Sequence, residues 1–233
     1  MPGRADAVVA VVIPAYQAAT TIADVVSRTQ RVISTGIVYV VDDGSADRTS
    51  AAGSGSGATV LVHPANRGKG AALATGIAAA LAGGAGVIVT LDADGQHSPE
   101  DIPRVAAPVL QGRADLVLGV RARTRDMPWS RRCTNWLSAA LASRIGGVAV
   151  PDAQTGFRAL SRGLAEAIRP AERGYDFETA FLLATLVRGF TVSCVPVPTL
   201  YAGRPSHFRH WADTWRQARV FSRYGRDIIF GAR

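Results

Sequence analysis

Lysine is nearly absent from this chain of 233 residues: Lys69 is the only one, and arginine supplies the rest of the basic charge. Cysteine is as scarce. Cys133 and Cys194 stand far apart with no metal-ligand spacing around them, which favours a pair of buried or reduced thiols in a cytosolic protein over a disulfide. No apolar run reaches the roughly 18 residues of a membrane span. The stretch Val8–Ile13 behind Arg4 is too short for a signal-peptide core and reads better as a first strand. Neither the dinucleotide fingerprint G-x-G-x-x-G nor the phosphate loop G-x-x-x-x-G-K-[ST] occurs, which argues against an NAD enzyme and a P-loop nucleotidase.

What is present is enough for a core. A hydrophobic content of 48% suits one α/β domain and excludes general disorder. The formal charge is +8, and from Arg204 onward seven arginines face only Asp213 and Asp227. Such a surface calls for an anionic partner: nucleic acid, anionic lipid or a phosphorylated substrate.

The first half alternates. Val8–Ile13, Ile37–Val41, Thr59–Val62, Val87–Leu91 and Asp115–Gly119 read as strands, most of them β-branched runs of the kind buried on both faces. Helices are expected over residues 21–33 with Thr21 and Asp24 in capping-box-like spacing, over 71–82 ending at Gly83-Gly84, and from a capped start at Ser98-Pro99-Glu100-Asp101 to about Leu110. The alternation predicts an open, mostly parallel sheet with helices on both faces, whose ligands bind at the carboxyl ends of the strands.

Those ends are unusually polar. They carry Pro14-Ala15-Tyr16-Gln17, then Asp42-Asp43-Gly44-Ser45, then Asn66-Arg67-Gly68-Lys69-Gly70, then Asp92-Ala93-Asp94-Gly95-Gln96-His97. In extended geometry Asp92 and Asp94 point the same way and can share one hard cation, with Gln96 as a third oxygen; the plainer reading is a strand-ending Asx turn. The glycines of residues 66–70 permit a phosphate to approach the backbone, with Lys69 as a point charge, or they simply open the next helix. Asp42 and Asp43 suit a base N–H and ribose hydroxyls, or ordinary turn chemistry. His97 fits a turn or a helix entry as well as a ligand.

Taken together these segments resemble the family 2 glycosyltransferases of GT-A fold, in the dolichyl-phosphate mannose synthase-like and bacterial polyprenyl-phosphate glycosyltransferase branch. The match extends to Gln154-Thr155-Gly156-Phe157-Arg158 and Tyr175-Asp176-Phe177-Glu178, and runs from about residue 8 to 210. The resemblance implies a Rossmann-like GT-A domain over residues 1–207 and an inverting, metal-dependent transfer from a GDP- or UDP-linked sugar to a polyprenyl phosphate; the alternatives are the same donor chemistry on a glycolipid or polysaccharide acceptor, or a nucleotide-sugar-binding protein without turnover. It implies donor contacts at Pro14, Ala15, Tyr16, Asp42, Asp43, Gly68, Lys69, Asp92 and Ala93, and Mg2+ or Mn2+ at Asp92, Asp94 and Gln96. Arg121, with Arg131 or Arg132, would hold the acceptor phosphate. Asp152 would stand near the reacting centre, or with Arg158 form a salt-bridged turn supporting it. Asp152, Arg121 and Asp94 are thus the expected catalytic residues.

The chain departs from this branch at Gln17, where an asparagine or acid is usual, and in lacking the transmembrane helices that many relatives carry after the catalytic domain. Residues 208–233 instead place Trp211, Trp215, Ala218 and Phe221 at helical spacing among arginines. That suits a basic amphipathic helix on an anionic membrane surface, or one packed on the domain. The expected location is cytoplasmic, peripheral on the cytoplasmic face of the membrane. Nucleic acid is not an expected partner, because no reader motif occurs and the acidic strand ends would repel phosphates.

Overall fold

The computed structural model describes residues 7–33, 35–121, 139–140, 143–144, 147, 150–174 and 176–198, the side chain of Arg121 excepted. The expected helix over 208–233, Arg131, Arg132 and Cys133 lie outside these residues.

The chain runs β1 (Val9–Ala15), α1 (Ile22–Val32), β2 (Ile37–Asp42), α2 (Thr49–Gly55), β3 (Thr59–Val62), α3 (Lys69–Ala82) and β4 (Val87–Thr90). A 3-10 turn at Pro99–Asp101 leads into α4 (Ile102–Leu110), then β5 (Leu116–Arg121), β6 (Arg158–Ser161), α5 (Arg162–Ala167), α6 (Phe177–Val187) and β7 (Val192–Val197). The seven strands lie in the order β3-β2-β1-β4-β6-β5-β7, all parallel except β6.

The alternation of side chains along β1 explains its unbroken apolar run. Ala10 and Val12 face a core shared with α3 and α6, while Val11, Ile13 and Ala15 face a second core shared with α1 and α4. The strand extends two residues past the expected end, through Pro14 and Ala15, whose partners are Val41 and Asp42. Proline is tolerated there because β4 pairs with β1 only as far as Val12, so one neighbouring strand has already ended.

Two expected caps take other forms. The Thr21 hydroxyl donates to the Ala18 carbonyl instead of capping α1. Ser98 makes no cap bond, and Pro99–Asp101 close as a separate 3-10 turn before α4. The Ser98 hydroxyl is taken by Glu100, and Arg28 of α1 pairs bidentately with Glu100 at 3.0 and 2.6 Å. Hydrogen bonds from Arg28 and Ser98 hold the Glu100 carboxyl down to about 2, against the usual value near 4.5. A depressed folded-state value adds stability above the unfolded carboxyl range, and that stability disappears as pH falls toward 2. Because the pair is largely exposed, Glu100→Gln should cost under about 1 kcal/mol at neutral pH. Melting curves of variant and wild type should converge as the pH is lowered through that window; a constant gap would remove the ion pair from the account.

Candidate active site

The order of strands reverses between β1 and β4: the chain moves outward from β1 to β2 and β3, then returns through α3 to β4 on the other side of β1. Loops leaving β1 and β4 therefore diverge and open a crevice at the carboxyl edge. Strand β6 adds to it by running the other way. Arg158, its first residue, stands opposite Thr90 of β4 and Leu118 of β5, so the segment 152–157 enters the sheet at the edge where β4 and β5 leave it. The Thr90 hydroxyl donates to the Gly156 carbonyl at 2.7 Å and the Thr155 hydroxyl to the Gly119 carbonyl at 2.7 Å, fastening that segment between the two strand ends.

The loops after β1 and β2 are laced together. Gln17, at the left-handed φ of 53°, donates its N–H to the Ser45 hydroxyl; Ala18 donates to Thr49 and Ala19 to Asp47. Pro14 and Ala15 are buried within β1, whereas Tyr16, the next residue, is 43% exposed. Asp42 closes β2, its carboxylate accepting from the Ser45 N–H at 2.9 Å and from the Ser50 hydroxyl. Asp43 is tied more tightly still. Its Oδ1 accepts from His63 Nδ1 at 2.6 Å and the Arg67 N–H at 3.0 Å, and its Oδ2 from the Gly68 N–H at 2.7 Å. Both aspartates thus hold the crevice wall together. His63 has no role in the sequence reading; buried after β3, it passes the connection on from Asp43 to the Thr75 hydroxyl of α3 at 3.0 Å.

The loop 66–70 opens α3, which begins at Lys69. Gly68 has a φ of 97°, and a Cβ there would lie 2.4 Å from the Arg173 carbonyl, so only glycine fits both the turn and the neighbour. Lys69 points into the protein. Its Nζ lies 2.7 Å from Asp92 Oδ1 and 2.9 Å from Oε1 of Glu178, on the first turn of α6. Burial alone would lower its pKa, but the two carboxylates more than offset this and raise it, so the ammonium stays charged.

Asp92 and Asp94 do not share one environment. The segment curls directly after β4, leaving Asp92 half-buried against Lys69 while Asp94 is exposed, its Oδ1 accepting the Gln96 N–H at 2.9 Å. Ala93 and His97 are buried, and the His97 ring packs on Phe157 with centroids 5.3 Å apart. Among the described residues no three of His, Cys, Asp and Glu gather into a ready cation cage. The donors at hand are hard oxygens, an exposed Asp94 beside a fixed Asp92. They fit a cation that keeps most of its coordination sphere for water and a ligand's phosphates.

Below the crevice lies Arg158, 3% exposed, donating to the carbonyls of Thr155 at 2.8 Å, Glu178 at 2.7 Å and Ala153 at 2.9 Å. Burial lowers its pKa, opposed by the charges of Glu178, Asp152 and Asp92, which surround it. Asp152 is itself buried and accepts the Gln154 N–H at 3.1 Å. Arg121 ends β5 at the same edge, opposite Val197 of β7. Cys194, in β7, has its thiol pushed up by burial and stays protonated.

Comparison with known proteins gives this arrangement a setting. The family model for glycosyl transferase family 2 matches residues 10–169. An uncharacterized protein of Methanocaldococcus jannaschii is 35% identical over 198 residues, covering 82% of this chain and 81% of its own. The UDP-N-acetylglucosamine–dolichyl-phosphate N-acetylglucosaminyltransferase of Methanococcus voltae is 29% identical over 220 residues, covering 84% of this chain and 87% of its own. Among solved structures, Mycobacterium tuberculosis glucosyl-3-phosphoglycerate synthase in complex with Mn2+ and UDP-glucose superposes with a TM-score of 0.77 at 26% identity. The match covers 95% of this chain and 80% of the other.

Proposed function

The chain belongs to glycosyl transferase family 2, and with that as premise we propose that it moves a sugar, with inversion, from a nucleotide-diphosphate donor to a polyprenyl phosphate, using Mg2+ or Mn2+. The observation that supports this reading is that the segment after β4, the segment leading into β6 and the end of β5 lie at the same edge of the sheet, beside the switch point between β1 and β4. The Methanococcus voltae relative is named for a dolichyl-phosphate acceptor and a UDP-linked donor, and the mycobacterial structure holds Mn2+ and UDP-glucose.

In this scheme Tyr16, with Pro14 and Ala15 behind it, borders the nucleoside. Asp42 and Asp43 keep the nucleoside wall in shape and present their remaining lone pairs to the base or ribose. Gly68 and Ala93 let the donor approach the backbone, and Asp92, Asp94 and Gln96 hold the cation. When bound, the cation neutralises charge that develops on the departing nucleoside diphosphate. The acceptor phosphate is already anionic at neutral pH, so it needs positioning more than deprotonation. Arg121 does this from the end of β5, with Arg131 or Arg132. Asp152 orients the groups around the reacting carbon, and becomes the general base only if the acceptor is a hydroxyl.

Residues 1–207 would be the catalytic domain and 208–233 a basic helix that brings it to an anionic, cytoplasm-facing membrane surface. Among the described residues no helix is long and apolar enough to cross a membrane. A second reading keeps the donor chemistry and changes the acceptor to a soluble phosphorylated acid. The acceptor that names the mycobacterial structure favours it.

Release of nucleoside diphosphate from a panel of UDP- and GDP-sugars separates the two. Polyprenyl phosphate in anionic vesicles should stimulate turnover, 3-phosphoglycerate should not, and chelation should stop it. Asp94→Ala should lower the rate about 100-fold or more. Stimulation by phosphoglycerate alone would establish the second reading; a rate indifferent to Asp94 and to metal would defeat both.

A further inference from the structure

The only lysine of the chain is spent inside the protein, against two carboxylates. Its side chain is 17% exposed, that of Glu178 6% and that of Asp92 25%, so the most deeply placed partner is Glu178. A buried carboxylate is costly unless paired, and here the pairing spans three elements: the first turn of α3, the first turn of α6 and the segment after β4. We propose that Lys69 is a positioning residue for Asp92, and that Glu178 is the buried anchor that aims Lys69 at it.

The geometry fixes Asp92 from two sides. On one stands the Lys69 ammonium at 2.7 Å; on the other the Gly156 backbone lies so close that a Cβ there would meet the Asp92 oxygens at 2.4 and 2.6 Å. The carboxylate is thus bounded by an ammonium and by a close backbone. Asp94, two residues on, is exposed. A compact ammonium suits the bridging task, because its three donors can be shared between oxygens in different directions, whereas a planar guanidinium demands a fork.

This inference rests on the reading that Asp92 serves the cation and donor site, and a double-mutant cycle separates the two ideas. Mn2+ affinity is measured by electron paramagnetic resonance titration of the full chain with UDP present, and turnover alongside. Lys69→Met should weaken Mn2+ binding about 10-fold or more, the range for residues that orient a metal ligand. In an Asp92→Asn background the same substitution should change it little, because the group it positions is gone. Lys69→Arg should recover part of the loss and Glu178→Gln should reproduce part of it. UDP binding without metal should be unchanged throughout. If Lys69→Met leaves Glu178 stranded and the chain unfolds, Lys69→Met/Glu178→Gln removes the stranded charge and should show the same Mn2+ defect. Additive losses in the cycle, or weaker metal-free UDP binding, would overturn the proposal and assign Lys69 to the donor phosphates. Wild-type protein that binds no Mn2+ with UDP would instead overturn the functional reading itself.

Discussion

Replacing Arg158 with methionine should destabilise the fold by about 3–5 kcal/mol, the scale on which a buried charged network fails when one member is removed. The guanidinium is 3% exposed and donates to three carbonyls, those of Ala153, Thr155 and Glu178. Methionine fills the volume and donates nothing. Each orphaned buried carbonyl then costs about 1–3 kcal/mol, partly offset because the cost of burying the guanidinium is also removed. For a chain of this length the melting temperature should fall by roughly 6–20 °C. Arg158→Lys should recover little, because one ammonium cannot span three carbonyls that the planar fork reaches at once. The bonds join the segment before β6 to the first turn of α6, so Asp152 and Glu178 lose their common support. A melting temperature within about 2 °C of wild type would mean that the carbonyls find water or other donors.

The parallel half of the sheet was legible because each strand is a short apolar run ended by turn residues, and burial on both faces needs no finer pattern. Strand β6 was not: Arg158–Ser161 is four residues with no β-branched member, and it is a strand because β4 and β5 flank it. Helix α2 was equally hidden. Thr49–Gly55 is rich in serine and glycine, which disfavour helix, and it forms where Gly53 fits against Val40 and Val60. At the crevice, spacing picked out loops that the sheet brings to one edge, and it did not report which side chains they pair with. Asp92 and Asp94 were expected to point the same way, but the chain curls after Thr90 and gives one of them a buried partner. Lys69 read as a charge for phosphates; the carboxylates it also pairs with come from 23 and 109 residues further along, a distance that no local pattern reports. Glu178 stood in a matching segment without a role, and His63 gave no signal beyond following a strand.

Gly156→Ala tests the close approach of this backbone to Asp92 and should be nearly silent in stability while lowering turnover about 100-fold. Gly156 has no positive φ that would forbid a side chain, so the backbone can keep its path. The new methyl would sit 2.4 to 2.7 Å from the Asp92 carboxylate, closer than any real contact, and the carboxylate must yield. With Lys69 already at 2.7 Å, it yields by rotating out of its present orientation. A displacement of about 1 Å at a reacting constellation is enough for a loss of two orders of magnitude. Gly163→Ala, in α5 where a Cβ meets nothing within 4 Å, is the matched control and should be neutral or slightly stabilising. Measuring kcat/KM and the melting temperature of both variants separates the effects. If Gly156→Ala turned over like wild type, the fixed orientation of Asp92 would have no part in the reaction. If it lost activity and melted normally, the close approach of Gly156 would be explained by the carboxylate that it holds in place.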